Sequence, residues 1–379
     1  MDFNLKDDRR EAFLPLTYTR PVGALRIGLY TIAEKWEVEL KGNSGFITEE
    51  YLANLFPRSN SDLRINARWL PCARSIEVIN ELPSDSRVEF EGHWLASRGN
   101  GSSLRALPGD FEPTLLSEVT DIFSENGKQI EQDIRRAGLS SVSAHPGTTL
   151  YGSECYIDPT AKVRGAILNS DTGPIYIGPN AEVMEGSVIR GPFALMDHAT
   201  VKLSTKVYGA TTIGPWSKIG GEVSNSVIQG YSNKGHDGFL GNSILGEWCN
   251  LGADTNNSNL KNNYGDVKLW NYERKSFAST GLTFCGLIMG DHSKSAINTQ
   301  FNTGTVVGVG ANVFDSGFPP KFIPSFSWGG ASGFEEYEFE KAIVVAERVY
   351  ARRSKEFGQT QHDMLKYIFD ATTHFRSST

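Results

Sequence analysis

The sequence predicts a mainly β protein: a left-handed parallel β-helix of hexapeptide repeats, preceded by a small α/β domain and followed by a C-terminal helix. The first observation behind this is a period of six. From Ile177, steps of six reach Val183, Ile189, Leu195, Val201, Val207, Ile213 and Ile219, all aliphatic. At the chain's hydrophobic content of 39%, eight in a row would arise by chance about once in two thousand trials. The second observation is that the fifth position of most hexads is small: Ala181, Ser187, Ala199, Thr205, Thr211 and Ser217. Neither a helix nor an ordinary strand produces a period of six. A triangular coil does: each face is a short strand, the aliphatic residue points inward, and the small residue lets the chain turn a corner. Parallel strands normally cross over right-handedly, and the hexad pattern licenses the exception.

Residues 1–112 lack the hexad. Short apolar runs (Phe13 to Leu16, Ile27 to Ile32) alternate there with polar loops such as Ser97 to Ser103, which reads as a small α/β domain. Residues 113–140 have helical spacing and connect it to the next unit. The β-helix is expected over 141–330. Ile157 and Val163 enter the frame before a two-residue shift, and Val227, Asn233, Phe239, Leu245 and Leu251 continue it after another. The polar stretch from Asp254 to about Thr280 is too long for a corner and is expected to leave the coil. Met289, Ser295, Phe301, Val307 and Val313 then resume the count. In residues 331–379, Phe339, Ile343, Ala346, Val349 and Tyr350 share one stripe, so an amphipathic helix is expected to brace the open end of the solenoid.

Composition removes several function classes. The formal net charge is -7, without a block of like charges, so the basic stripe of a nucleic-acid binder is not expected. The pairs Arg9-Arg10, Arg135-Arg136 and Arg352-Arg353 read as solvated helix faces. The first ten residues carry no apolar core of a signal peptide, and no apolar run reaches the roughly 18 residues that span a bilayer. Four distant cysteines (Cys72, Cys155, Cys249, Cys285) without a CxxC pair fit free thiols in a reducing cytoplasm. His198 and His292 do not form the close histidine pair of a zinc site, so no metal is expected.

The residue best suited to chemistry is His236, in a tight Gly235-His236-Asp237-Gly238 segment after Lys234. An imidazole accepts a proton from an amine or hydroxyl nucleophile near neutral pH, and Asp237 or a backbone carbonyl could fix its tautomer. A lone loop histidine is more often merely exposed, so its surroundings decide. Lys234-Gly235-His236, Leu240-Gly241, Leu245-Gly246 and Asn250 to Ala253 resemble, without a gap, the acetyltransferase domain of the bifunctional N-acetylglucosamine-1-phosphate uridyltransferase / glucosamine-1-phosphate acetyltransferase family. The resemblance implies acetyl-CoA as acyl donor and His236 as the base that deprotonates a sugar amine. It further implies substrate contacts from Lys234, Phe239 and Asn250, and a homotrimer with sites between neighbouring coils. The family's Asn-Tyr pair and following phosphate-contacting lysine imply Asn263, Tyr264 and Lys268, reached through a short insertion, or Asn259 without one. The family has a tyrosine at the position matching Phe239, so one hydrogen bond to substrate would be absent.

Toward the N-terminus, Leu14 to Gly28 and the following Thr31 to Trp36 resemble proteins related to the same family or to glucose-1-phosphate thymidylyltransferases. True nucleotidyltransferases cradle the triphosphate in a glycine-rich G-x-G-T-R loop, which this sequence lacks. Arg20, Arg26 and Lys35 are the candidate nucleotide or phosphate contacts, with surface salt bridges as the competing reading. Mg2+ is expected only if nucleotidyl transfer takes place. Together these readings point to a cytoplasmic sugar-nucleotide-pathway transferase acting on a sugar phosphate with CoA or a nucleotide. The alternatives are a nucleotidyltransferase with a structural β-helix, and a non-catalytic sugar-nucleotide sensor.

Overall fold

The computed structural model describes residues 1–376. Its N-terminal domain is built on a six-stranded sheet whose second strand, Phe3–Lys6, runs parallel to Ser44–Ile47 on the edge and to Arg64–Asn66 on its other side. The hairpin Ser86–Phe90 and His93–Ser97 extends the sheet antiparallel. Helix Ile32–Leu40 starts at a capping box, Thr31 and Glu34 each closing on the other's backbone amide, the sequence signature of a defined helix start. It drives Trp36 into the core, edge-on to Trp69 with ring centroids 5.2 Å apart. Helix Asn126–Ala137 ends at Gly138, in the left-handed conformation a helix C-terminus favours, and buries Ile130 and Ile134.

From Thr149 onward the chain is the expected left-handed parallel β-helix, with three parallel sheets of nine, ten and six strands. The ten-stranded sheet ends in an antiparallel pair. The eight aliphatic residues from Ile177 to Ile219 all point inward, none more than 2% exposed. Beyond Ile219 the expected frame needs correction. Ile213 pairs with Ile228, Ile219 with Lys234, and Val223 with Leu240, so Ile228, Lys234 and Leu240 occupy the interior, not Val227, Asn233 and Phe239. The physical reason is a shortened coil: the corner after Ile219 is only Gly220 and Gly221, whereas the same corner of the preceding coil spans residues 202–205.

The three faces of the solenoid meet different fates. The nine-stranded face is covered, because outward-facing Val227, Ile244, Ile288 and Val306 share one apolar core with Phe3, Trp36 and Trp69 of the N-terminal domain. The six-stranded face is uncovered and exposes Tyr151, Ile167, Val188 and Tyr208. The excursion begins after Asn256–Asn257, which still pairs with Gln300–Phe301. It contains the hairpin Lys268–Asn271 and Ser276–Ser279, and its Leu269 and Tyr272 return to the N-terminal core. The C-terminal segment forms two longer helices where one was expected, Phe339–Ala351 and Gln359–Ala371. They clasp Leu52 of the N-terminal domain to Val309 and Phe326 of the last coils. Among the described residues no helix is long and apolar enough to cross a membrane, and the four cysteines are free thiols.

Candidate functional site

His236 lies on the corner between Asn233–Lys234 of the ten-stranded sheet and Phe239–Gly241 of the six-stranded sheet. The corner fits because of glycine beneath it. A Cβ on Gly220 would lie 2.8 Å from the Gly235 carbonyl oxygen, and one on Gly221 2.9 Å from the Asp237 Cα. Gly238, at a φ of +110°, presses toward the Thr255 carbonyl in the coil above, a conformation that only glycine adopts without cost. The His236 imidazole is thereby exposed at the edge of a groove of about 630 Å³.

The groove runs between the ten-stranded face and the end of helix Phe339–Ala351. Lys202, Lys218, Lys294, Arg352 and Arg353 line it together with Asn250 and Trp248, and among the described residues no carboxylate does. Arg353 is fixed by donating to the Trp216 carbonyl, 3.2 Å away. Burial pulls the Lys294 ammonium down to about 8. The Lys218 pKa is lowered too, by burial first and then by the nearby Arg353. Cations crowded this way, without a counter-charge in the wall, form a site for a polyanion. Arg352 and Arg353 escaped the sequence reading because a basic pair at a helix end usually faces water. The signal available was their place at the end of a helix with one apolar stripe, which has to dock on something.

Of the predicted substrate contacts, the structure brings Asn250 and His236 to this groove. Lys234 is instead inside the coil, 1% exposed, stacked over Ile219. Phe239 is half-buried on the outward face, folded over Gly241. Asn263 and Tyr264 stand on an exposed turn of the excursion, and Lys268 opens its hairpin beside Lys261, Phe277 and Lys321. None of these three lines the His236 groove. Asn259, the option without an insertion, reaches Asn242 in the neighbouring coil at 2.8 Å. The insertion thus became a strap onto the N-terminal domain and carried Asn263, Tyr264 and Lys268 away from the groove.

The N-terminal cations are likewise corrected. Lys35 is fully buried in an ion pair with Asp133 of the connecting helix, and Arg26 bonds the Leu29 carbonyl and pairs with Glu34. Arg20 lines a smaller cavity of about 310 Å³, but its guanidinium is held by Asp291 and by Glu247 at 3.1 Å. Ligands of open parallel sheets bind beyond the carboxyl ends of the strands. After Phe3–Lys6 that position holds two carboxylates. Asp7 accepts from the Val22 amide at 2.9 Å and the Thr48 hydroxyl at 2.6 Å, and Asp8 pairs with Arg68.

Residues 5–139 match the family described as sugar nucleotidyl transferase. The bifunctional protein GlmU of Methanocaldococcus jannaschii is 33% identical over 158 residues, 42% of this chain and 32% of that protein. The bifunctional protein GlmU of Synechococcus elongatus is 23% identical over 206 residues, 50% of this chain and 41% of that protein. The chain thus spans 32–41% of the length of these relatives. Among solved structures, the polySia-specific acetyltransferase NeuO aligns with 13% identity and a TM-score of 0.29, covering 55% of this chain and 94% of that one.

Proposed function

We propose that this protein is an acetyltransferase of sugar-nucleotide metabolism, transferring the acetyl group of acetyl-CoA to the amine of an amino-sugar phosphate with His236 as general base. The observation that carries this reading is one exposed histidine at the rim of a groove lined by five cations. In the reaction, the sugar amine attacks the thioester carbonyl and loses a proton to the His236 imidazole. The carbon–sulfur bond then breaks, and the CoA thiolate takes that proton from the imidazolium, so the histidine returns to its starting state. Arg352, Arg353 and Lys218 would hold CoA phosphates, leaving Asn250 beside His236 to orient the acceptor. In this reading Mg2+ has no part, because the N-terminal domain binds or braces without transferring a nucleotide.

The proposed assembly is a cytoplasmic homotrimer. Its support is the uncovered six-stranded face, whose exposed Tyr151, Ile167, Val188 and Tyr208 form the flat apolar surface another copy would cover. The His236 corner borders that face, so a neighbouring copy would close the open side of the groove. A panel assay tests the whole reading: CoA release from acetyl-CoA with glucosamine 1-phosphate and related amino-sugar phosphates, beside pyrophosphate release from UTP or dTTP with sugar 1-phosphates. CoA release is expected, and His236→Ala should lower it about 10²–10⁴-fold with little change in thermal stability. Pyrophosphate release alone would assign the chemistry to the N-terminal domain. Silence in both assays, with tight nucleotide binding, would leave a sensor.

A further inference from the structure

A lysine occupies an interior position of the β-helix. Along the inward column Val183, Val201, Ile219, Lys234 and Leu251, the fourth member replaces an aliphatic side chain with an amine. It is 1% exposed. Its Nζ donates to the carbonyl oxygen of His236 at 2.5 Å and to that of Asp237 at 3.0 Å. A buried ammonium is costly unless hydrogen-bonded, and here the bonds fall on the one corner that carries the candidate base.

The same corner has little else to fix it. Gly235 and Gly238 flank it, and a Cβ on Gly235 would meet nothing within 4 Å. The corner below is only Gly220 and Gly221, which offer it no side chains. Its ladder bonds run from the Gly220 amide to the Lys234 carbonyl, from the Glu222 amide to the Gly238 carbonyl and from the Asp254 amide to the Asp237 carbonyl, leaving the His236 carbonyl to the lysine. The His236 carbonyl is therefore tied inward by the lysine, and fixing that peptide fixes the direction in which the imidazole leaves the corner. From inside the coil the ammonium is shielded by this corner from a ligand in the groove.

We infer that Lys234 is a positioning residue: its ammonium clamps the His236–Asp237 peptides from within the coil and holds the imidazole toward the groove, without contacting substrate. This rests on the acetyltransferase reading for its kinetic consequence, although the clamp itself is a property of the fold.

The test compares Lys234→Met, which keeps the apolar stem and removes the donor, with Lys234→Gln, which keeps a shorter donor. With acetyl-CoA and glucosamine 1-phosphate, kcat should fall about 10- to 100-fold in the Met variant, as expected for a displaced catalytic group, and less in the Gln variant, with both KM values unchanged. Lys234→Met combined with His236→Ala should be no slower than His236→Ala alone, because the lysine acts through the histidine. A raised KM for the sugar phosphate, equal in both variants, or a further loss in the double variant, would overturn the inference in favour of direct substrate contact.

Hydrogen–deuterium exchange gives a second readout that does not depend on activity. The amides of Glu222 and Asp254, which bond the Gly238 and Asp237 carbonyls of the corner, should exchange faster in Lys234→Met while the rest of the solenoid keeps its protection. Unchanged exchange would overturn the clamp. If wild-type protein releases no CoA yet this local loosening is seen, the acetyltransferase reading has failed and the clamp stands. If Lys234→Met does not fold, Lys234→Gln carries both measurements.

Discussion

The carboxyl end of the N-terminal sheet and the His236 corner of the solenoid are both places where their folds put binding sites, and they are charged in opposite ways. At the sheet, Asp7 and Asp8 follow the first strand and Arg68 is committed to Asp8, while elsewhere in the N-terminal half Lys35 is committed to Asp133 and Arg20 to Asp291. At the corner, five cations face an open groove with no carboxylate in its wall among the described residues. A cation paired within the fold contributes to holding domains together, whereas one facing a groove keeps its charge for a ligand. Sequence similarity to sugar nucleotidyl transferases extends over residues 5–139, and within that span Arg20, Lys35 and Arg68 are all paired inside the fold.

The largest expected effect that would sharpen this contrast is at Lys35. The ion pair with Asp133 is fully buried on both sides and joins helix Ile32–Leu40 to helix Asn126–Ala137. Lys35→Ala would leave a buried carboxylate with Arg136 as its remaining ion partner. Removing one member of a buried pair costs about 3–5 kcal/mol, so a large fall in Tm is expected. If Lys35 bound phosphate instead, the variant would keep its Tm and lose affinity for UTP or dTTP, and the contrast would break.

A smaller effect is expected from the groove. Arg352→Ala with Arg353→Ala should raise the KM for acetyl-CoA about 30-fold, since each phosphate contact of this kind is worth on the order of 1 kcal/mol when partly exposed. Tm should change little, and added salt should erase most of the difference between variant and wild type. A salt-independent loss, or a loss of kcat alone, would mean these arginines organise the helix end and leave the donor untouched.

How much of this was legible in the sequence depends on what each residue answers to. The inward positions from Ile177 to Ile219 were readable because one physical demand, a dry coil interior, repeats every six residues. The frame was lost at Gly220-Gly221, where a corner shortens and the count alone cannot show which residue turns inward. That slip hid Lys234 among the substrate contacts. His236 and Asn250 were readable because their neighbours matched a family pattern without a gap. Asn263, Tyr264 and Lys268 lie away from the groove because the chain leaves the coil after Asn257 and straps onto the N-terminal domain. Arg352 and Arg353 were missed for a different reason: their role depends on where a distant helix docks, and no local pattern records that.

The smallest expected effect tests the N-terminal half of the contrast through pH. Burial raises Asp7 from 3.8 to about 6, and its bonds from Thr48 and Val22 together with the nearby Arg10 oppose the rise only in part, while Glu49 adds to it. A group raised in the folded state binds more protons there than in the unfolded chain between about pH 4 and 6. Wild-type stability therefore falls as pH rises through that window and stays lower above it. Asp7→Asn keeps an oxygen for the Val22 amide and never ionises, so it escapes this loss. Its Tm relative to wild type should climb between pH 4.5 and 7.5 by about 1–3 °C, a small shift in a chain of this length. A relative Tm flat across that range would mean Asp7 is better solvated than its packing implies. The mouth of the N-terminal sheet would then be open to a cationic or metal-bearing ligand, and the division of labour between the two regions would have to be redrawn.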